Sequence, residues 1–550
     1  MGGSESEDQS VKVSDQVSSE SIPTRKLRWK WGLAILFAGI GFTIYQWFQL
    51  APDRTYQVFA VYGGIRNIFI GLLIWWMLIS GVSWKARFKG LLGTILFFVL
   101  FFSLLRVESF EGDMVPRFQF RFLPTAEQRA EKYFEQAAKM PQESNADSST
   151  LEVSPEDWPA YRGVDRDGIV RDQKIRTDWD VRPPELLWKH PVGSGWGSFA
   201  IIGDRAFTQE QRGEKETVVC YDALSGKQIW THHDYVRFTE VLGGPGPRAT
   251  PTFYDGMIYS MGATGILNCL NAITGELVWS KDLLEEEKLD NLQWAMSGSP
   301  LIWEDLVIVN QGIPQETSKV NPRSVVALDR LTGDKVWSGG KHKSSYSSPQ
   351  LSILNEEPRL LIFHSKGLEG FTPQEGKSLW FFPWTNQAGV NAAQPIVIEP
   401  SSIFLGAGYG AGSARITIRE SEQQAEPDVI EDWKSKSLKL KFNSAVVRDG
   451  FVYGLDEGIL TCLNLETGKR AWKRGRYGYG QMILVNDNLL ILAEDGRVEL
   501  VKADPKKYTQ IATFQAIQGQ TWNHPALAQG KLFVRNSEEA ACYDISDAAK

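Results

Sequence analysis

The stretch CYDALSGKQIW, residues 220–230, decides the fold, because four later stretches repeat its pattern. They are CLNAITGELVW at 269–279, ALDRLTGDKVW at 327–337, GFTPQEGKSLW at 370–380 and CLNLETGKRAW at 462–472. In each, a run typical of a β-strand leads into a turn that contains glycine, and a tryptophan follows four residues later. Glycine permits the positive φ that such a hairpin needs, and tryptophan is large enough to pack between neighbouring sheets. We expect docking tryptophans at Trp230, Trp279, Trp337, Trp380 and Trp472.

A second pattern predicts how many sheets the chain forms. Eight apolar strand starts, from GSFAIIG near residue 200 to NHPALAQ near residue 526, recur at spacings of 37 to 52 residues. This spacing suits four-stranded blades that close radially, so the sequence predicts an all-β, eight-bladed β-propeller over residues 158–550. A seven-bladed propeller is the alternative. The seventh repeat lacks the tryptophan, and DWKS at 432–435 is a poor substitute for it in the fifth.

Closure of the ring has a candidate at the start of the domain. ELLWKHPV at 185–192 resembles the tryptophan strand IWTHHD, but no blade precedes it. The last repeat ends without a tryptophan strand of its own. We therefore expect the strand around Trp188 to complete the last blade.

The N-terminal region contains apolar runs long enough to cross a membrane. Trp31 to Leu50 is uncharged and about 20 residues long, which is sufficient for a helical span. Ile68 to Trp84 is the second candidate, and Leu91 to Leu105, at 15 residues, is a short third. We assign residues 25–105 to a membrane anchor of about three transmembrane α-helices that contact lipid.

Basic residues predict the orientation of this anchor. Four precede the first span, and Lys85, Arg87 and Lys89 crowd the loop after the second. By the positive-inside rule, the N-terminus and this loop are cytoplasmic. Three crossings then place the propeller outside the cytoplasm, on the inner membrane, whereas two crossings would leave it inside.

The remaining segments lie before the anchor and between the anchor and the propeller. Residues 1–24 are acidic and serine-rich, so we expect a disordered cytoplasmic tail. Residues 106–157 resemble a linker with one short helix that begins at an N-cap, Thr125. The net charge is −7, and no long basic run exists outside the membrane flanks, so we expect no nucleic-acid partner.

The repeated motif resembles the PQQ-binding-like β-propeller family, which includes quinoprotein alcohol dehydrogenases and the propeller lipoprotein of outer-membrane assembly. The resemblance covers roughly residues 158–548 and implies the fold more strongly than it implies an activity. Active members bring a vicinal cysteine pair, calcium ligands and an aspartate base. This chain has no Cys-Cys pair, and the other residues find no match, so the catalytic residues are unknown.

Aligning the eight strand starts gives one column that is polar throughout. It reads Ser198, Thr250, Ser299, Ser348, Gln394, Ser444, Gln481 and His524, with Arg248 and Asn523 just upstream of two members. In a propeller these residues ring one mouth of the central channel. They either satisfy backbone groups at the strand starts or bind a ligand or protein partner. In the second case, we expect a rim-exposed Arg248 and a His524 that titrates near neutrality to contribute most.

Two functions follow from these observations. Since the recognisable residues all build the fold, a non-catalytic binding or scaffold module is favoured, with no cofactor and no metal site. The alternative, implied by the resemblance, is a membrane-bound dehydrogenase that uses PQQ with calcium to oxidise alcohols or sugars.

Overall fold

A computed structural model describes Gly2 and residues 27–51, 53–137, 139, 151–171, 173–314, 323–420 and 427–547. Apart from Gly2, the tail predicted for residues 1–24 lies outside these ranges. The chain divides into two compact units. The first unit comprises the residues up to Leu50 together with Ala60–Ser103. The second unit comprises Ala51–Phe59 together with Leu104–Lys550.

The second unit is an eight-bladed β-propeller, as the repeats predict. Each blade is an antiparallel sheet in which strands adjacent in the sequence pair with one another. Blades 1 to 4 comprise Ala200–Ile202, Arg205–Arg212, Lys215–Asp222, Gln228–Asp234; Thr252–Tyr254, Met257–Met261, Ile266–Asn271, Leu277–Asp282; Leu301–Trp303, Leu306–Asn310, Val325–Asp329, Lys335–Gly339; and Gln350–Leu354, Glu357–His364, Gly367–Phe371, Ser378–Pro383.

The other four blades follow the same order, with two additions from the N-terminal side of the domain. Blades 5 to 8 comprise Ile396–Ile398, Ser402–Ala407, Gly412–Arg419, Asp428–Ser435; Val446–Arg448, Phe451–Asp456, Ile459–Asn464, Arg470–Arg476; Gln481–Val485, Asn488–Leu492, Arg497–Lys502, Gln510–Gln515; and Ala526–Ala528, Lys531–Arg535, Glu539–Asp544. Ile169–Val170 adds a fifth, parallel strand to blade 7. Glu185–Pro191 completes blade 8 by pairing with Glu539–Asp544, and Trp188 lies opposite Cys542. The predicted closure is therefore confirmed, and the seven-bladed alternative is wrong.

Docking tryptophans pack on the turn glycine of the next blade at five of the blade junctions. Five such pairs are Trp188 on Gly226, Trp230 on Gly275, Trp279 on Gly333, Trp337 on Gly376 and Trp433 on Gly468. The indole Nε1 atoms of Trp188, Trp230, Trp279, Trp433 and Trp472 also donate to carbonyls at Ala223, Ala272, Arg330, Leu465 and Asp504, over 2.9–3.1 Å. Trp433 of the DWKS segment is thus a full docking residue, and the sequence prediction undervalued it.

The first unit contains helices long and apolar enough to cross a membrane. They are Trp29–Tyr45 and Arg54–Ile74, each followed by one π-helical turn (Gln46–Leu50 and Trp75–Ile79), and Trp84–Leu104. The third helix has 21 residues and begins at Trp84, so the 15-residue estimate was too short. The apolar run alone omitted the basic first two turns of this helix, which contain Lys85, Arg87 and Lys89.

The linker is more structured than the sequence indicates. Leu105–Phe110 and Pro116–Phe120 form a hairpin, and Ala126–Ala137 forms the expected helix. Thr125 caps that helix, because its hydroxyl accepts from Gln128 N (3.1 Å) while the Gln128 side chain accepts from Thr125 N (2.9 Å). Outside the blades, Thr239–Glu240 pairs with Gly244–Pro245, Leu289–Asp290 pairs with Ile313–Pro314, and Leu283–Glu286 forms one helical turn.

The tryptophan–glycine contact can be tested with two matched glycines. Gly275 and Gly256 have φ of +76° and +74°, but only a Cβ at Gly275 would meet the indole of Trp230, 2.6 Å from Cδ2. Both alanine variants incur the cost of the left-handed backbone, about 1–2 kcal/mol. We expect Gly275→Ala to lose about 1–3 kcal/mol more, the cost of overpacking. Equal melting temperatures for the two variants would contradict this contact.

Candidate functional site

The polar column forms a belt of hydrogen bonds between neighbouring blades. Each bond joins a backbone N–H to the side-chain oxygen of the equivalent residue in the next blade: Ser198 to Thr250, Thr250 to Ser299, Ser299 to Ser348 (each 2.9 Å), and Gln394 to Ser444 (3.0 Å). The Ser198 hydroxyl donates to His524 O at 2.6 Å and joins blade 1 to blade 8. An apolar residue here would leave a buried N–H unpaired, so the fold itself requires much of this polarity.

A segment before the first blade crosses the channel and bridges several blades. Arg162 and Arg166 lie on it with positive φ, and both are buried. Arg162 donates to Ala445 O (2.8 Å), while Arg166 donates to the carbonyls of Ser299 and Pro300 (3.0 and 2.7 Å). Burial lowers the pKa of both guanidinium groups. Their residue type gave no sequence signal, because neither belongs to a repeat.

His524 is held neutral by this segment. Its Nε2 lies 3.2 Å from the Arg162 guanidinium and its Nδ1 lies 2.9 Å from Pro525 O, which places the proton on Nδ1. Burial and the positive charge of Arg162 lower the pKa of His524 to about 3. The expectation that His524 titrates near neutrality is therefore wrong.

Beyond this segment, a cavity of about 220 Å³ occupies one end of the channel. Its lining includes seven of the predicted site residues: Ser198, Arg248, Thr250, Ser299, Ser348, Gln481 and His524. Gln394, Ser444 and Asn523 are not among the lining residues. They serve the belt and the loop before blade 1, where Asn523 Nδ2 donates to the carbonyls of Gly195 and Gly197 (3.1 and 2.8 Å).

The cavity walls are mainly aromatic, which the strand-start column did not predict. Trp196, Trp294, Tyr346, Phe442 and Trp522 contribute, each from a loop that precedes an inner strand. Trp522 packs against Trp196 and Phe442 with ring centroids 4.8 and 5.0 Å apart. Such walls suit a planar or apolar ligand group.

Several polar atoms at the base of the cavity retain hydrogen-bonding capacity. The hydroxyls of Thr250, Ser299 and Ser348 accept from the belt, and their protons have no acceptor among the residues that the structure describes. Gln481 donates to the carbonyls of Phe442 and Trp522, which leaves its Oε1 without a donor in the same ranges. The base therefore offers three donors and one acceptor.

Arg248 is engaged within its own loop rather than exposed on the rim. It donates to the carbonyls of Gly244 (2.9 Å) and Gly246 (2.6 Å) and lies 3.5 Å from Glu240 Oε1. Its side chain is only 8% exposed, and burial lowers its pKa to about 10 despite Glu240 and Glu216. The expectation that Arg248 is a free rim charge is wrong, because the short strands Thr239–Glu240 and Gly244–Pro245 fold around it.

Lys441 is a second cation at the cavity, and sequence reasoning missed it. Its Nζ donates to Gly112 O (2.6 Å) and Thr55 Oγ1 (2.9 Å), and it lies 4.6 Å from the centroid of the Tyr479 ring. Burial lowers the pKa of Lys441, against the opposing charge of Asp113. A lone lysine before a strand start carries no motif, so only its contacts distinguish it.

The tip of the linker hairpin covers this end of the channel. Gly112 N donates to Glu494 Oε1 (2.8 Å), Tyr479 OH donates to Asp113 Oδ1 (2.7 Å), and Gln520 Nε2 donates to Phe110 O (2.6 Å). Gly112 and Met114 line the cavity. The hairpin predicted as linker is thus part of the candidate site.

The residues at the cavity do not fit a calcium site. Ca²⁺ takes six to eight oxygen ligands, several of them carboxylates. Glu240 is the one carboxylate lining the cavity among the described residues, and it already accepts from Leu242 N and contacts Arg248. Across the described ranges, no group of three or more His, Cys, Asp or Glu could hold a metal ion.

Comparisons with known proteins agree with this architecture. A family model described as outer membrane protein assembly factor BamB matches residues 214–474, somewhat less than half of the chain. A quinohemoprotein alcohol dehydrogenase from Comamonas testosteroni is 12% identical, with 77% of this chain and 85% of that chain covered and a TM-score of 0.50. The propeller is similar in fold to those of the PQQ-like repeat type.

Two further structures match the chain with lower TM-scores. BamB from Moraxella catarrhalis is 15% identical and has a TM-score of 0.48. The match covers 67% of this chain and 99% of the BamB chain. A europium-containing methanol dehydrogenase is 13% identical and has a TM-score of 0.48. The match covers 71% of this chain and 91% of the dehydrogenase chain. No curated protein sequence matches the chain significantly. The likeness to solved structures establishes the fold alone.

The burial of Arg248 predicts a structural penalty when it is removed. Arg248→Ala removes the donor to the loop carbonyls of Gly244, Pro245 and Gly246 and the positive charge beside Glu240, so we expect a loss of about 1–3 kcal/mol. Arg474→Ala removes an exposed arginine from the outer strand of blade 6 and should stay within about 0.5 kcal/mol of wild type. Thermal unfolding, with limited proteolysis of loop 238–248, measures both. If the melting temperature of the Arg248 variant equals that of the wild type, Arg248 is instead an exposed side chain on the channel rim.

Proposed function

We propose that this protein is a membrane-anchored, extracytoplasmic PQQ-like propeller that acts as a non-catalytic binding or scaffold module. One observation carries the proposal: the charged side chains at the cavity bind the chain's own segments. Lys441 and Glu494 hold the hairpin tip, and Arg248 holds its own loop. A catalytic acid, base or electrophile must instead reach the substrate.

The ligand or partner site that best fits the geometry is the cavity. Its aromatic walls favour an apolar or planar group, while the free hydroxyl protons and Gln481 Oε1 favour a polar, uncharged end. This supports binding of a small molecule, or of one side chain from a protein partner, at the channel mouth.

The segment Ala51–Phe59 supports the proposed topology. It includes the first turns of the second apolar helix, which begins at Arg54, and Thr55 there contacts Lys441 of the propeller. Only the remainder of the second apolar helix and the third one lie between this segment and the propeller in the sequence. The two regions lie on one side of a membrane only if both helices cross it or neither does. With the first helix also crossing and basic residues inside, the propeller lies outside the cytoplasm.

Protease protection tests this topology. With the protein expressed in bacterial cells, protease added to intact spheroplasts should remove the C-terminal propeller and spare an N-terminal tag. Lysis should then expose the tag as well, because only the membrane protects it. A propeller that resists protease until lysis would show an even number of crossings.

A PQQ-dependent dehydrogenase is the second candidate, favoured by the aromatic cavity with Arg248 and Lys441 at its edge. The poor fit to calcium argues against it.

We expect the purified protein, given PQQ and calcium, to show no dye-linked oxidation of alcohols or sugars and no saturable quenching of tryptophan fluorescence. Turnover would reverse the ranking. Ser297→Phe, which fills the cavity wall, is the control that separates binding in the cavity from binding elsewhere.

A further inference from the structure

The hairpin Leu105–Phe120 presents one face that is apolar and one that is polar. Leu105 pairs with Phe120, and Val107 pairs with Phe118. Directly opposed residues in an antiparallel pair point to the same face of the sheet. Between these pairs, Arg106 and Gln119 lie on the other face and hydrogen-bond to each other.

The apolar face is unusually exposed for a folded protein. Val107 is 43% exposed and Phe120 is 47% exposed. Phe122, which continues the alternation beyond the strand, is 73% exposed and stacks on Phe120 with ring centroids 5.1 Å apart. Exposed aromatic groups of this kind mark an interaction surface.

The hairpin cannot bury this face by turning over on the propeller. Its tip is fixed through Phe110, Gly112 and Asp113, each hydrogen-bonded to a propeller side chain. Whatever covers the apolar face must therefore come to it.

We propose that this face inserts into the phospholipid interface of the membrane that holds the N-terminal helices. The inference rests on the anchoring proposed above. The hairpin begins at Leu105, directly after the last residue of the third apolar helix, Leu104, so no spacer separates it from that helix. Aromatic side chains favour the headgroup level of a bilayer, and flanking arginines such as Arg117 can extend to its polar side.

Single-cysteine labelling tests this insertion in the full-length chain. The four native cysteines are buried, so an added surface cysteine is labelled selectively. Phe122→Cys, carrying an environment-sensitive fluorophore, is reconstituted into phosphatidylcholine nanodiscs with lipids that bear a doxyl quencher near the headgroup. We expect a blue-shifted emission that the doxyl lipid quenches and that aqueous iodide does not.

Two labelled controls separate this inference from the anchoring itself. Leu96→Cys lies within the third apolar helix and should be quenched by lipids with a deep doxyl group. Val336→Cys, 53% exposed on the outer strand of blade 3, should be quenched by iodide alone.

Each other result overturns the proposal. Iodide quenching at position 122 with lipid quenching at 96 leaves the anchor intact and removes the hairpin from the membrane. Protection of position 122 from both quenchers means that protein, either a partner or a second copy, covers the face. Loss of lipid quenching at position 96 overturns the anchoring as well.

Discussion

The contact on which the propeller depends is the tryptophan of one blade stacked on the turn glycine of the next. The indole covers a surface that only glycine leaves open, and in four of these contacts its N–H also satisfies a turn carbonyl there. Because each contact joins two neighbouring blades, the ring is stable only when every blade has a successor. Trp188 supplies the contact between the last blade and the first, which makes the chain's early strand part of its final sheet.

The belt of hydrogen bonds at the channel is the inner counterpart of these contacts. The hydroxyls of Thr250, Ser299 and Ser348 each accept a hydrogen bond from the backbone of a neighbouring blade, and their own protons remain available to a ligand in the cavity. The column is therefore polar for a structural reason, and that polarity alone does not identify a ligand site. What distinguishes the cavity is the combination of those protons with aromatic walls that come from the loops before the inner strands.

The chain also uses its own segments to close the channel at both ends of this region. Two buried arginines on the segment before blade 1 bind strand-start carbonyls, while the linker hairpin and residues 51–59 bind Lys441 at the opposite side of the cavity. Charges that would be costly to bury alone are accommodated because backbone carbonyls and hydroxyls solvate them. Access to the cavity for any large partner therefore requires the hairpin tip to move.

The sequence by itself determined the propeller, its eight blades and its closure, because each depends on a local signal that repeats: a strand, a turn glycine and a tryptophan at fixed spacing. It also located the polar column, since that position recurs at every strand start. Only the tertiary structure decided how those residues are used. Arg248 donates to carbonyls of its own loop, and Arg162 keeps His524 neutral. Lys441 and the hairpin tip contribute to the site from outside the repeats. The contacts of His524 and Lys441 join residues hundreds of positions apart that share no motif, and the fold of the loop around Arg248 is not part of the repeat, so the repeated pattern does not encode them.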